Sequence, residues 1–281
     1  MTSPRISLDS YQAWLEDAAR RTGNLRGFFG PESLAWQINR DSLLALVGLR
    51  ALLMQVAHPG VARGVAEHSS FQTRPYKRAY STLRAQQRIV FGPTTEAVDA
   101  LRRMQRRHAS VSGDGYHALD GALQLWVWGS LIDSTLYGIR LANRRFADGI
   151  LEDFYKESVW FGQLLGLRRD GMPGSLDDFR NWMKSSLEGA EVSVGKEARL
   201  IAESLMALPF RWAAPLNRTW AAMTLPERLR VAYQLPEPGK AISAALLLCV
   251  RALRALPLSL RSQPAFWLAM RRVNSEENSS V

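Results

Sequence analysis

The strongest constraint on the fold is the spacing of apolar residues, which is helical in almost every long segment of the chain. Residues 8–22 and 118–143 are the clearest examples. An apolar residue at every third or fourth position gives a helix one face that can be buried. No convincing series of alternating apolar and polar residues predicts strands, and the turn signals lie too far apart for a β-sandwich. The sequence therefore predicts an all-α fold in a single domain.

Capping residues and helix breakers divide the chain into further predicted helices. Asp41 or Ser42 can cap a helix over 43–57, which ends before Pro59. This segment is interrupted by Arg50 and is shorter than the roughly 20 apolar residues of a membrane span, so we predict a buried core helix. The other predicted helices cover about 94–111, 147–166, 177–187, 196–209, 226–233 and 238–255.

The charge balance limits the classes of partner. The chain of 281 residues has 36 basic and 26 acidic residues, a net charge of +10, and only five of the basic residues are lysine. Arginine binds carboxylates and phosphates through two parallel hydrogen bonds, so the excess suits an anionic ligand, an anionic membrane or nucleic acid. A GC-rich genome would give the same composition. No nucleic-acid recognition motif is found, and no nucleic-acid partner is expected.

The single cysteine, Cys249, excludes an internal disulfide and a thiolate metal cluster. Residues 1–21 show no apolar core behind basic residues, so no secretory signal is visible and a cytoplasmic protein is expected. Residues 241–261 combine leucine clusters with arginines. That composition fits a helix lying on an anionic bilayer, at the inner face of the membrane, or a core helix with exposed arginines.

His108 is the most informative of the four histidines. It lies on the predicted helix that Thr94 or Thr95 can cap. It continues the apolar spacing of that helix, which is set by Ala97, Leu101, Met104 and Val111. A neutral imidazole in an apolar wall is what a haem iron needs as proximal ligand. The alternative is a core histidine satisfied by a backbone carbonyl.

Arg78 and Thr82 are four residues apart and share a face if their segment is helical. Such a pair can hold a haem propionate or orient dioxygen; the alternative is a solvated arginine and a capping threonine. His58 and His68 are spaced poorly for a zinc site, and no metalloprotease, serine hydrolase or phosphate-loop motif is present. The sequence therefore favours no common catalytic class except metal or porphyrin chemistry on histidine.

Several motifs occur in an order that resembles a known family. They are INRDSLLALVGLRALLMQVAHPGVARGVAEHSSF, then Pro75, Arg78-x-x-x-Thr82, IVFGPTTEA, RRHASVSG, ALDGALQLWVWGSLIDS and TLPERLRVAYQLP. The order closely resembles the bacterial proteins grouped with the fungal MpaB oxygenase and the latex-clearing rubber oxygenases. The resemblance covers roughly residues 30–235.

This resemblance implies an all-helical fold with a globin-like core that carries haem b. It implies that His108 is the proximal iron ligand and that Arg78 and Thr82 are the pair of the R-x-x-x-T motif upstream of it. It also implies a catalytic domain over 30–235. Residues 1–29 are then an N-terminal helical extension, and 236–281 hold basic amphipathic helices and a frayed tail.

The chain departs from the rubber oxygenases at two positions in the site. Those enzymes have a lysine just before the motif threonine, which can cap the iron, whereas this chain has Ser81. A serine cannot replace the amine as a ligand, so the distal side is expected to hold water, oxygen or nothing. Their catalytic glutamate has no clear counterpart, and Glu67 is the nearest acid. Without their secretion signal, a small lipophilic substrate is expected instead of solid latex.

The predicted function is that of a haem b-dependent oxygenase that cleaves a carbon–carbon double bond of a lipophilic, isoprenoid-like substrate with dioxygen. An electron donor of unknown identity would reduce the iron. Trp126 and Trp128 could line the substrate pocket or could simply pack in the core. The alternative function is a haem- or lipid-binding protein without catalytic activity, associated with the membrane surface.

Overall fold

A computed structural model of the chain describes residues 7–24, 26–69, 74–141 and 148–277. Helices dominate this part of the chain, which confirms the predicted all-α, single-domain fold. The α-helices, numbered in chain order, are α1 (Leu8–Thr22), α2 (Leu34–Asn39), α3 (Gly48–Val56), α4 (Pro59–His68), α5 (Pro75–Phe91), α6 (Thr94–Ala109), α7 (Gly121–Leu141), α8 (Asp148–Leu164), α9 (Leu176–Glu188), α10 (Lys196–Met206), α11 (Ala214–Thr224), α12 (Glu227–Ala232), α13 (Lys240–Ala255), α14 (Leu258–Arg261) and α15 (Pro264–Glu277).

Short elements complete the structure. The 3-10 helices are Ser42–Val47, Arg169–Gly171 and Arg211–Ala213. Two short strands, β1 (Ser112–Gly113) and β2 (Tyr116–His117), pair in antiparallel register with Ser112 opposite His117. This hairpin occupies the place where the sequence signals the end of α6.

The main core is built around α7. This helix packs against α3 and α9, and α10 packs against α3 and α4. Buried residues occur on every side of α7, as expected of an apolar helix that is surrounded by other helices. The largest fully buried side chains of this core are Trp128, Tyr155, Phe179, Ile38, Leu53, Met54, Ile201 and Leu229.

A second apolar cluster joins α1, α2 and α15 to the hairpin formed by α5 and α6. Trp36 lies at its centre, with Phe91 and Phe266 packed edge-on against its ring. The cluster takes up Val90 and Phe91 at the end of α5, and Ala97 and Leu101 at the beginning of α6. It therefore anchors the closed end of the hairpin and leaves Arg78 and His108 at the other end.

The predicted core helix over 43–57 is buried, but it is not continuous. Residues Ser42–Val47 form a 3-10 helix before α3 begins at Gly48. Asp41 caps it as predicted, because its side chain accepts a hydrogen bond from the backbone N–H of Leu43. Pro59 opens α4 instead of breaking the chain, since proline at the first helical position loses no helical hydrogen bond.

Two other predictions need correction. Neither Thr94 nor Thr95 caps α6: the hydroxyl of Thr94, its first residue, donates to the carbonyl of Gly23 at 2.5 Å instead. The predicted frayed tail is helical as far as Glu277, where α15 ends; residues 278–281 lie outside the described part.

Among the described helices, none alone has the length and apolar composition needed to span a membrane. Only the pair Ser42–Val56 and Pro59–His68 reaches that threshold together, and it is bent by 102°.

Candidate functional site

The open end of the α5–α6 hairpin brings the predicted site residues together. Two residues, Gly92 and Pro93, separate the helices, so the chain folds back and α6 packs along α5. Arg78 lies in the first turn of α5 and His108 in the last turn of α6. The proline at residue 75 begins α5 at the position where proline is best tolerated. The hairpin therefore pairs an early residue of one helix with a late residue of the other.

His108 presents a buried nitrogen without a protein partner. Its side chain is half-buried, and within the described part of the chain Nδ1 has neither solvent contact nor a hydrogen-bond partner. Burial, followed by the positive charges of Arg78 and Arg107, lowers the pKa of His108 to about 4. The ring is therefore neutral near pH 7. Among the described residues, no backbone carbonyl accepts a hydrogen bond from Nδ1.

Arg78 forms its side-chain contact within its own helix. Its Nη1 donates to Oγ1 of Thr82 at 3.2 Å, and the threonine hydroxyl lies 3.1 Å from the carbonyl of Arg78. Burial and the charge of Arg107 lower the pKa of Arg78, which remains a cation. Ser81, which stands where the rubber oxygenases have lysine, is exposed and donates to the carbonyl of Arg78 at 2.8 Å.

Two arginines, for which the described residues provide no acidic partner, lie beside the neutral imidazole. In the described residues, no carboxylate forms an ion pair with Arg78 or Arg107, and both act on His108 electrostatically. Guanidinium groups bind carboxylates strongly, and unpaired ones that face each other repel. An unpartnered imidazole nitrogen flanked by two such cations fits a ligand that carries a metal centre and two carboxylates, which is the composition of haem b.

Sequence reasoning missed Arg107. Helical spacing alone places it off the apolar stripe of α6, on the outer faces with its neighbours Arg102, Arg103 and Arg106. Its effect on His108 and Arg78 depends on the long, flexible side chain and on the fold of the hairpin. The only available signal was its position directly before His108.

The other histidines have structural roles in the described chain. Nδ1 of His58 accepts the backbone N–H of Gly60 at 3.1 Å and caps α4, and burial lowers the pKa of His58. Nε2 of His68 lies 3.0 Å from the carbonyl of Ser112 and ties α4 to the β-hairpin. The ring nitrogen Nδ1 of His117 accepts the backbone N–H of Leu119.

Glu67 forms a hydrogen bond with Tyr116. Its Oε2 accepts a hydrogen bond of 2.5 Å from the hydroxyl of Tyr116. Burial and this carboxylate raise the pKa of Tyr116 to about 12, so the phenol stays protonated at neutral pH. The pair joins the end of α4 to β2, and the contacts do not extend to Arg78 or Thr82.

The two tryptophans lie in the main core. Trp126 donates from Nε1 to the carbonyls of Met54 and Gln55, at 3.1 and 3.2 Å, and Trp128 donates to the carbonyl of Ser158 at 2.9 Å. Both are almost completely buried. These contacts are those of core packing.

Two cavities lie away from His108, Arg78 and Thr82. A cleft of about 350 Å³ is lined by Tyr11, Trp14, Gln163, Leu167 and Arg168–Asp170. A space of about 30 Å³, enough for a water molecule, lies between α2, α7 and α8. Neither is lined by His108, Arg78 or Thr82.

Comparison with known proteins gives a match over most of the chain. The family model described as "ER-bound oxygenase mpaB/B'/Rubber oxygenase, catalytic domain" matches residues 36–255. Uncharacterised proteins of Mycobacterium tuberculosis and Mycobacterium bovis are each 30% identical over 156 residues. The match covers 50% of this chain and 59% of each relative, so the chain spans about three fifths of their length. No solved structure matches.

Proposed function

The chain belongs to the family of mpaB and rubber oxygenase catalytic domains, and on that premise we propose that it is a haem b-dependent oxygenase. Its substrate would be a small, lipophilic, unsaturated molecule of the isoprenoid type. The oxygenase character follows from the family. The haem, the substrate class and the roles of individual residues are our proposal.

The proposal rests on the burial of His108, on its missing hydrogen-bond partner among the described residues and on its neutral ring. Its Nδ1 is buried and unpartnered, and the low pKa keeps the ring neutral. A buried polar atom without a partner is unfavourable by about 1–3 kcal/mol, so such atoms often indicate a ligand. Arg78 and Arg107 add the positive charge that two propionates require.

Each residue has a distinct role in this proposal. His108 holds the iron through its imidazole, and Arg78 and Arg107 bind the propionates. Thr82 keeps the guanidinium of Arg78 in place through the hydrogen bond of 3.2 Å. Haem, when bound, supplies the iron that activates dioxygen, after reduction by a donor. Ser81 leaves the other side of the site free of an amine, since its hydroxyl is hydrogen-bonded within α5.

The overall reaction balances without a further co-reactant. Cleavage of one carbon–carbon double bond by one dioxygen molecule places one oxygen atom on each carbon and gives two carbonyl groups. The electron donor would serve only to supply a bound haem in its reduced form. The protein's residues bind and orient the reactants and keep water away from them.

A specific observation favours a second candidate, a haem- or lipid-binding protein without catalytic activity at the membrane surface. Neither the cleft of about 350 Å³ nor the space of about 30 Å³ is lined by His108, whereas an oxygenase needs space for the substrate beside the residue that holds the iron. The cytoplasmic location at the inner face of the membrane belongs to this proposal as well.

Oxygen consumption separates the two candidates. We expect the reduced, haem-loaded protein to consume dioxygen when a linear polyisoprenoid is added, and to incorporate ¹⁸O from ¹⁸O₂ into two carbonyl products. His68→Ala, which removes a histidine outside the site, should retain this activity. A haem-loaded protein that consumes no oxygen with any unsaturated isoprenoid would support the carrier instead.

A further inference from the structure

The helix α13 is exposed over most of its circumference. Only Val250 is fully buried, and Ser243, Leu246 and Arg254 on the same side are partly buried. These four residues form one stripe at helical spacing, and the helix packs against α11. The interpretation of residues 241–261 as a core helix is therefore wrong for α13, because a core helix would bury more than one stripe.

The exposed face of α13 is apolar. Leu248, at its centre, is 64% exposed, and Ile242 and Leu253 on one flank are 50% and 44% exposed. Ala252 and Cys249 lie beside Leu248 and are exposed too. A continuous apolar face of this kind is uncommon on a soluble surface and usually marks a binding site.

Large apolar side chains from neighbouring segments are also exposed. Trp212, before α11, is 73% exposed and stacks on Phe210. After α13, Leu260 is 74% exposed and Trp267 is 45% exposed. Tryptophan combines an apolar ring with a polar N–H, and it is enriched where proteins meet the membrane–water interface.

The charge of residues 238–275 indicates which kind of partner fits the exposed face of α13. Residues 238–275 contain no aspartate or glutamate and six basic residues, Lys240, Arg251, Arg254, Arg261, Arg271 and Arg272. Arg261 is paired with Asp41 at 2.6 Å, whereas Lys240, Arg251 and Arg271 are exposed. In a symmetric dimer this surface would meet its own copy, and the cations would repel. An anionic surface with an apolar interior accommodates both the cations and the leucines.

We propose that α13 is a membrane-binding surface that inserts its exposed apolar side chains, with Leu248 at their centre, into the headgroup region of an anionic bilayer. α13 has 16 residues, fewer than the roughly 20 needed for a span, so it lies in the plane of the membrane. The proposal is independent of haem, since α13 contains none of the residues Arg78, Thr82 and His108.

Vesicle flotation tests the surface directly. The full-length protein should float with vesicles of equal parts phosphatidylglycerol and phosphatidylcholine, and high salt should weaken this binding. Leu248→Glu should weaken it about tenfold or more, because it removes a leucine that would insert into the bilayer and adds a charge of the wrong sign. The matched control is Leu200→Glu on α10, where the leucine is 50% exposed outside the surface, and it should bind like the unmodified protein.

The single cysteine provides a second readout. Cys249 lies on the exposed face of α13, so an environment-sensitive fluorophore attached to it reports on this helix alone. Addition of the anionic vesicles should shift its emission to the blue, and nitroxide-labelled lipids should quench it. Both changes should be lost in the labelled Leu248→Glu protein, whose helical content by circular dichroism should be unchanged.

Three results would overturn the proposal. One is equal binding to phosphatidylcholine vesicles with and without phosphatidylglycerol. Another is unchanged binding of Leu248→Glu. The third is a stable dimer in light scattering that Leu248→Glu dissociates, which would assign the surface to a second copy of the chain.

Discussion

Arg78 donates a hydrogen bond from Nη1 to Oγ1 of Thr82, one turn further along α5, over 3.2 Å. The contact orients the guanidinium on the side of the helix that faces the last turn of α6. Burial lowers the pKa of His108 most, and the positive charges of Arg78 and Arg107 lower it further. Thr82 thus orients Arg78 within α5, and Arg78 acts electrostatically on His108 of α6.

The first prediction concerns Arg78. We expect Arg78→Gln to release haem about tenfold faster than the unmodified protein, since one charge-assisted hydrogen bond to a propionate contributes roughly 1.5–3 kcal/mol. Haem transfer to an excess of apomyoglobin, followed at the Soret band, measures the rate. Thr82→Val should give a smaller increase, because it removes only the contact that orients the guanidinium.

The control for Arg78 is Arg103→Gln. Arg103 lies on an exposed part of α6 and is close to Asp99, so its loss should not change haem release. If Arg78→Gln and Arg103→Gln release haem at the same rate, Arg78 does not bind a propionate.

The second prediction concerns the pH dependence of stability at His58. Nδ1 of His58 can accept the N–H of Gly60 only in the neutral ring, and burial lowers its pKa below the value of about 6.5 found in unfolded chains. The unfolded state therefore binds a proton first, and His58 reduces stability as the pH falls below about 6.5. Above that pH its contribution is complete.

His58→Asn isolates this effect. Asparagine is a good N-cap and does not titrate, so this variant should lose less stability between pH 7 and pH 5 than the unmodified protein. Urea unfolding of the apoprotein at both pH values measures the difference. The titration of His108 changes the stability of both proteins equally, so its contribution cancels in the comparison. Parallel loss of stability in the two proteins would contradict the capping role of a neutral His58.

The third prediction concerns the buried ion pair of Arg50. This residue of α3 is 5% exposed, and it donates to Asp133 at 2.5 Å, to Ser134 at 2.7 Å and to the carbonyl of Thr224 at 2.8 Å. We expect Asp133→Ala to lower the free energy of unfolding by about 3–5 kcal/mol, because it leaves a buried guanidinium without its counter-ion.

An exposed pair provides the comparison. Glu203 and Arg218 also form an ion pair, but both are close to half exposed, so Glu203→Ala should lower stability by about 1 kcal/mol or less. Urea unfolding at neutral pH measures both variants. A loss below about 1 kcal/mol for Asp133→Ala would mean that water replaces the lost carboxylate.

The helices that could be predicted from the sequence were those whose apolar residues recur at regular helical spacing. α1 is found at the predicted residues, and α7 lies within the predicted segment, because each has a regular apolar spacing over at least four turns. α2, α4, α5, α11, α14 and α15 were missed. The first two are short, and α4 was hidden because His58 and Pro59 were interpreted as the end of a helix, although the same residues also begin one.

The placement of His108 on the inner face of α6 was predicted by spacing, and its partly buried environment agrees with it. Its proximity to Arg78 could not be read from spacing, because it depends on how α5 and α6 pack. The exposure of α13 could not be predicted either. Its leucines are as apolar as those of α7, and only the tertiary structure determines which of the two helices is covered.

The visible spectrum of the purified protein, with and without reductant, tests the central claim most directly. We expect a Soret band in protein from haem-replete cells, lost or strongly shifted in His108→Ala and unchanged in His68→Ala. A colourless protein, or a His108→Ala variant with the spectrum of the unmodified protein, would contradict the assignment of His108 as the residue that holds the iron.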